Sequence, residues 1–141
     1  MLSFEQVIPN TTQRQLFIDF FNGATSNIIY IYGNGSNGKS TILLALRKIF
    51  NIINLPNDFM TIPNHHYFDN SFIYCLQDPD QNNINTIINN LKTLQLRCII
   101  ISNCQCPVPH LSQIKFPIHI SSTNITESDI DTLANQIKNY L

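Results

Sequence analysis

The stretch GNGSNGKS at residues 33–40 constrains the fold of this chain more than any other feature. An apolar, β-rich run precedes it at residues 27–32 and predicts a buried strand. From Lys39 to about Phe50, apolar residues recur at spacings of three and four, which predicts a helix. The stretch is therefore expected to be a short loop that joins the carboxyl end of a strand to the first turn of a helix.

Further apolar runs predict four more strands. Three of them lie at residues 72–76, 97–102 and 116–120, and a short one is expected within residues 59–62. Pro117 predicts that the last strand lies at the edge of its sheet, because proline cannot donate to a central ladder. Strands that are apolar throughout predict a mainly parallel sheet covered on both faces, with its ligand beyond the carboxyl ends of the strands.

Three further helices are expected between and after these strands. They cover residues 11–21, residues 83–94 and the segment after Thr126. Thr11 or Thr12 is the predicted N-cap of the first. Thr126 is the predicted N-cap of the last, where Asp129 stands in for the usual Glu of a capping box. The alternation of helices and strands predicts an α/β fold.

The composition predicts one globular domain, residues 1–141, without a membrane span. The chain is 43% hydrophobic and 12% charged, and no stretch approaches the roughly 18 apolar residues that a transmembrane helix needs. A net charge of −1 argues against a monomer with a broad basic face for DNA. It leaves open a ring that gathers a few lysines at a central pore.

The cysteines predict free thiols in a reducing compartment. Cys75 and Cys98 lie inside apolar runs and are expected to be buried. Cys104, Cys106 and His110 have the spacing C-x-C-x3-H, which is a weak metal-binding pattern without a clear fourth ligand. Free thiols are the favoured interpretation of this segment too.

The opening stretch fits G-x-x-x-x-G-K-[ST], the pattern of a phosphate-binding loop between a strand and a helix. Glycines let successive backbone N–H groups aim at phosphate oxygens, and the helix adds its positive N-terminal end. Lys39 is expected to reach the β- and γ-phosphates, and Ser40 to offer its hydroxyl to Mg²⁺. The predicted nucleotide-binding residues are Gly33, Asn34, Gly35, Ser36, Asn37, Gly38, Lys39, Ser40 and Thr41.

Polar residues follow two of the predicted strands and complete the candidate catalytic set of Lys39, Asp78 and Asn103. Asp78 closes the run at 72–76 and is expected to hold Mg²⁺ directly or through water, with Asp80 or Gln77 orienting the attacking water. Asn103 follows the run at 97–102, where its amide can hydrogen-bond a γ-phosphate or that water. The alternative in both places is an ordinary turn, in which Asp, Asn and Pro are favoured.

Three segments stand in the order GNGSNGKST, FIYCLQDPD and CIIISN. In this order they resemble the motifs of the superfamily 3 helicase domain of viruses, phages and plasmids, and most of all those of viral and phage primase-helicases. The phosphate loop of that group often reads G-x-G-x-N-G-K-[ST], so Asn37 is the most telling residue. The resemblance covers roughly residues 12–122.

The resemblance implies a three-layer P-loop NTPase fold of the AAA+ type with sheet order 5-1-4-3-2. It implies ATP hydrolysis with Mg²⁺ between the subunits of a homo-oligomeric ring, usually a hexamer, coupled to translocation on single-stranded DNA or RNA. It gives Lys39 and Ser40 the phosphate and Mg²⁺ roles, Asp78 the acidic role and Asn103 the sensor role. A partner replication protein and a location in the cytoplasm or nucleus of a host cell are further implications.

Two departures from the family pattern keep other functions open. Gln77 stands where many members have the first of two acids, and no arginine follows Arg97 to serve as the arginine finger. Lys115 is the cation nearest that place, but lysine is a point charge without the planar fork of arginine. The alternatives are a nucleotide-binding interaction protein without turnover and a small nucleotide kinase, which three arginines in the chain disfavour.

One further segment has two interpretations. His65-His66 and Tyr67-Phe68 lie where the resemblance places residues that contact nucleic acid in a ring pore. A surface turn with a buried aromatic fits the same residues.

Overall fold

Five strands in the described part of the chain form one parallel sheet. The structure is a computed structural model and describes residues 3–23, 27–33, 39–56, 71–108, 111–116 and 125–141. The sheet order is β2-β3-β4-β1-β5, and every neighbouring pair of strands is parallel. The strands are β1 (Ile28–Tyr32), β2 (Ile52–Asn54), β3 (Ile73–Gln77), β4 (Arg97–Ser102) and β5 (Ser112–Lys115). The expected α/β architecture with a parallel sheet is confirmed.

Helices cover both faces of this sheet because the central strands are apolar on both sides. Ile31 and Ile101 belong to a core with the helices α1, α2, α3 and α5, whereas Tyr30 and Ile100 belong to a second core with α4. The described helices are α1 (Phe4–Val7), α2 (Thr11–Phe21), α3 (Lys39–Arg47), α4 (Ile84–Leu94) and α5 (Glu127–Tyr140), and a 3₁₀ turn (Gln81–Asn83) precedes α4.

The ends of two helices test the predicted caps. Thr126 and Asp129 form the predicted capping box of α5, with the Thr126 side chain accepting from the Asp129 backbone N–H. The predicted caps of α2 are wrong, because Asn10 is its N-cap and accepts from the Gln13 backbone N–H at 3.0 Å. Asn and Thr are both common N-caps, so the sequence did not decide between neighbouring positions.

The strand β2 was not predicted. The helix expected to reach Phe50 ends at Arg47, whose guanidinium donates to the Ile52 carbonyl and to the Asn54 side chain. β2 lies at the sheet edge and pairs with β3, so contacts between distant residues set its conformation. The strand predicted within residues 59–62 lies outside the described residues.

The last described strand, β5, lies at the other edge of the sheet, but it is not the strand predicted at residues 116–120. β5 covers Ser112–Lys115, four residues before the predicted start at Phe116. Only Ile114 of β5 is fully buried, so its apolar signal is weak. Residues 117–120 lie outside the described part of the chain.

The burial of two cysteines agrees with the sequence. Cys75 and Cys98 are both buried in the sheet, and burial raises the pKa of the Cys75 thiol to about 11. No helix within the described residues is long and apolar enough to cross a membrane.

The corrected N-cap of α2 is directly testable. Asn10→Ala removes the side-chain acceptor of the Gln13 N–H and should lower the free energy of unfolding by about 1 kcal/mol. Thr12→Ala is the matched control and should change it by less than about 0.5 kcal/mol. Urea denaturation measures both values, and a larger loss in Thr12→Ala than in Asn10→Ala would contradict the assignment.

Candidate functional site

Three neighbouring strands end at one edge of the sheet and place the predicted site residues there. Tyr32 of β1 lies opposite Ser102 of β4, and Gln77 of β3 lies opposite Ile101. Backbone hydrogen bonding to β4 continues for one residue beyond the end of β1 and for one residue beyond the end of β3. The Gly33 N–H donates to the Ser102 carbonyl at 3.3 Å, and the Asp78 N–H donates to the Ile101 carbonyl at 2.8 Å.

Lys39 connects the first turn of α3 to this edge. Its side chain is only 7% exposed, and its ammonium group donates to Asn103 Oδ1 at 3.0 Å and to the Gly33 carbonyl. A buried ammonium needs such acceptors, because an unpaired charge is costly to remove from water. The contact brings together two residues that are far apart in the sequence and that were each predicted for the site.

The electrostatics of Lys39 bring Asp78 into the same group. Burial lowers the pKa of the Lys39 ammonium, and the negative charge of Asp78 opposes that shift. Because the folded-state pKa is lowered, folding disfavours the charged amine at neutral pH. The free energy of unfolding should therefore rise as pH passes the folded-state pKa and approaches the ordinary lysine value.

Asp78 adopts a backbone conformation that is uncommon for a residue other than glycine. Its φ is +49°, in the left-handed region where Asp and Asn are better tolerated than most side chains. The hydrogen bond from its N–H to β4 holds this turn in place. Such conformations cluster at functional sites, where the surrounding structure offsets the strain.

The other two candidates around this turn are Asp80 and Gln77. Asp80 caps the 3₁₀ turn: one carboxylate oxygen accepts from the Asn82 N–H at 3.0 Å and the other from the Asn83 amide at 3.1 Å. Each oxygen keeps a second lone pair, so the cap does not decide whether Asp80 orients a water. Gln77 ends β3 and is exposed.

The glycine loop itself is described only at its two ends. Gly33 is buried after β1, Ser40 is exposed in the first turn of α3, and Thr41 is buried beside it. Asn34, Gly35, Ser36, Asn37 and Gly38 lie outside the described residues. The segment that contains His65 to Phe68 also lies outside them.

Each arginine of the chain has a partner away from this edge. Arg14 donates to Thr11, and Arg47 holds β2. Arg97 donates to the Phe20 carbonyl, and its guanidinium lies 5.2 Å from the centre of the Phe20 ring. Lys115, in contrast, is an exposed cation at the end of β5, opposite Tyr32 of β1.

The sequence did not reveal a part-buried hydrogen-bond network next to Asn103. The Tyr30 hydroxyl donates to the Cys104 carbonyl at 2.8 Å and accepts from the Gln81 amide at 3.2 Å. The Gln81 amide also lies 3.3 Å from Ser102 Oγ, which accepts from the Cys104 N–H at 3.2 Å. The one available signal was the pair of tyrosines, Tyr30 and Tyr32, in an otherwise apolar strand, since a buried hydroxyl needs a partner.

The weak metal pattern gains no support from the described residues. Cys106 is buried, and its sulfur accepts from the Val108 N–H at 3.4 Å, whereas Cys104 is exposed. His110 lies outside the described residues. Within them, no group of three or more His, Cys, Asp or Glu side chains is placed to hold a metal ion.

A comparison with protein-family models finds no match, and a comparison with curated protein sequences finds none either. The functional argument therefore depends on the residues at this edge.

The proximity of Asp78 and Lys39 can be measured through a pKa. Asp78→Asn removes the charge that opposes the effect of burial, so the pKa of the Lys39 amine should fall further below its ordinary value. A pH titration of the Lys39 ¹³Cε signal by NMR measures the change. Asp80→Asn keeps the cap acceptor and is the matched control, in which the Lys39 titration should not move. A Lys39 pKa that is the same in Asp78→Asn and the unmodified chain would show that the two groups do not interact.

Proposed function

We propose that this chain is a P-loop ATPase that binds ATP and Mg²⁺ at the carboxyl edge of its sheet, and that it works as a superfamily 3-like helicase core. The observation that carries the proposal is the convergence of Lys39, Asp78 and Asn103 at the ends of three neighbouring parallel strands. Each residue follows or opens an element in the order that the resemblance requires. The sheet order, which from the β5 side is β5-β1-β4-β3-β2, is the order that the resemblance implies and supports the same proposal.

Lys39 is suited to bind phosphate because its charge is already removed from water. Its ammonium is held by a carbonyl and an amide oxygen, both of which are neutral acceptors. Phosphate oxygens are charged acceptors, and charge-assisted hydrogen bonds are about twice as strong as neutral ones. Exchange of these partners for a phosphate therefore favours binding, and it releases the Asn103 side chain to interact with the γ-phosphate or with the attacking water.

The residues at the edge also fit Mg²⁺. This ion is usually held by one or two protein oxygens together with water and substrate phosphates, so a dedicated cluster of acids is not needed. Ser40 offers a hydroxyl in the first turn of α3 and Asp78 a carboxylate at the end of β3, and both are exposed. When bound, Mg²⁺ neutralises the charge that develops on the phosphate oxygens.

Because all three arginines have partners elsewhere, two functions are favoured: ATP hydrolysis that needs another subunit, and nucleotide binding without hydrolysis. An arginine finger contributes about 10³-fold or more to related phosphoryl transfers, and all three arginines bind elsewhere in the fold. We propose that the site is completed on single-stranded DNA either by an arginine of a partner replication protein or, in a homo-oligomeric ring, by the exposed Lys115 of a neighbouring copy in place of an arginine. The second candidate function is nucleotide binding without hydrolysis, which the same observation favours. A kinase that grips two sets of phosphates is disfavoured.

The free cysteines are consistent with the proposed setting. Cys75, Cys98, Cys104 and Cys106 form no disulfide. Free thiols are typical of reducing compartments, which supports a location in the cytoplasm or nucleus of a host cell.

The test compares ATP binding and ATP turnover in the unmodified chain and in Lys39→Ala, with and without single-stranded DNA. Loss of the charged donor should weaken ATP binding by about tenfold to hundredfold. Lys138→Ala removes an exposed lysine of α5 and is the matched control, in which ATP binding should be retained.

The outcomes separate the candidate functions. Turnover that DNA stimulates and Lys39→Ala abolishes supports the helicase-like ATPase. Tight binding without turnover supports the nucleotide-binding protein, and phosphate transfer to a nucleoside or nucleotide supports the kinase. Absence of ATP binding, or equal binding by the unmodified chain and Lys39→Ala, would overturn the proposed function.

A further inference from the structure

We propose that Tyr30, Gln81 and Ser102 are positioning residues that hold Asn103 in the orientation needed at the site. The inference rests on the proposed function, in which Asn103 contacts the γ-phosphate or the attacking water. None of the three side chains is proposed to touch the nucleotide. They act through the backbone on both sides of Asn103.

The residue after Asn103 is held at both of its backbone groups. The Cys104 carbonyl accepts from the Tyr30 hydroxyl at 2.8 Å, and the Cys104 N–H donates to Ser102 Oγ at 3.2 Å. On the other side, the Ser102 carbonyl accepts from the Gly33 N–H at 3.3 Å. Asn103 therefore lies between two residues with fixed backbones, although it is itself exposed.

The two strand residues of the network are buried, and its groups are complementary. Tyr30 is 0% exposed and Ser102 is 3% exposed. Burial raises the pKa of the Tyr30 phenol, while hydrogen bonds from Ser102 and Gln81 oppose the rise, so the phenol keeps the proton that it donates at neutral pH. A buried polar network in which each group has a partner fixes one arrangement, because any displacement leaves a polar group unpaired.

Gln81 connects this network to the acidic turn. It is the first residue of the 3₁₀ turn that Asp80 caps, three positions after Asp78. Its amide reaches both Tyr30 on β1 and Ser102 on β4. The network thus joins the middle of β1, the carboxyl end of β4 and the turn after β3, and we infer that it sets the position of Asn103 relative to the turn that contains Asp78.

The fixed backbone has a consequence for the Asn103 side chain. Without nucleotide, Asn103 Oδ1 accepts from the Lys39 ammonium. When a phosphate takes over that ammonium, the fixed backbone keeps the Asn103 amide directed at the site. Its NH₂ group is then the donor that Asn103 can offer to an anionic oxygen. A loose backbone at residues 102–104 would lose this orientation, and a misplacement of about 1 Å in a positioning group can cost about 10²-fold in rate.

Two measurements on the full chain test the proposal. The first is the NMR signal of the Asn103 side-chain amide in ¹⁵N-labelled protein without nucleotide, assigned by its loss in Asn103→Ala. Tyr30→Phe and Ser102→Ala should each shift and broaden this signal. Tyr140→Phe also removes a phenol hydrogen bond, the one to Glu5, and as the matched control it should leave the signal unchanged. Gln81→Ala should change the same signal. It disturbs the fold less than the other two substitutions, because the Gln81 side chain is partly exposed.

The second measurement separates positioning from a general loss of structure. Tyr30→Phe and Gln81→Ala should lower kcat for ATP by about tenfold to hundredfold with little change in ATP affinity. Neither should lower kcat further when Asn103 is already alanine, because both act through Asn103.

The results that would overturn the inference are distinct from those that would overturn the proposed function. An unchanged Asn103 signal in both Tyr30→Phe and Gln81→Ala would overturn the inference. So would a loss of kcat that is equally large in the chain with Asn103 and in the Asn103→Ala chain. A chain that binds no ATP overturns the proposed function, while the NMR signal still decides whether these residues position Asn103.

Discussion

The hydrogen bond between the Lys39 ammonium and Asn103 Oδ1 is the contact on which the site depends. It places a buried positive charge at the point where α3 begins and β4 ends. Removing that charge from water is costly, so the fold supplies the Gly33 carbonyl and the Asn103 amide as acceptors, with the charge of Asp78 nearby. An anion that replaces these neutral acceptors relieves the cost, which is why the edge is suited to phosphate.

The sheet order makes this arrangement possible. β4 lies between β3 and β1, so the segments that follow β3 and β1 both reach the end of β4. Backbone hydrogen bonds from Gly33 and Asp78 to β4 continue the pairing beyond the strands. Asn103 accepts from Lys39, while the bonds of Tyr30 and Ser102 hold the backbone of the next residue, Cys104.

The sequence predicted the central strands and each candidate site residue by itself, but not the contacts between those residues. The bounds of β4 were predicted to the residue, because a central parallel strand is buried on both faces and its sequence is continuously apolar. β2 was missed because it is a short edge strand in which Ile53 is 39% exposed, and Arg47 and β3 determine its position. Asp78 and Asn103 were predicted from the strand ends that they follow. The bonds of Tyr30 to Cys104 and Gln81 join distant residues, so local patterns contain little trace of them.

The most direct test of the central claim is a map of amide chemical shifts on addition of Mg²⁺ with a non-hydrolysable ATP analogue. If the carboxyl edge binds nucleotide, the largest saturable shifts lie at Gly33, Ser40, Asp78 and Asn103, and signals of α5 near Lys138 stay in place. Shifts that do not saturate, or that centre on the groove between α3 and α5 lined by Lys48, Asn135 and Lys138, would contradict the account.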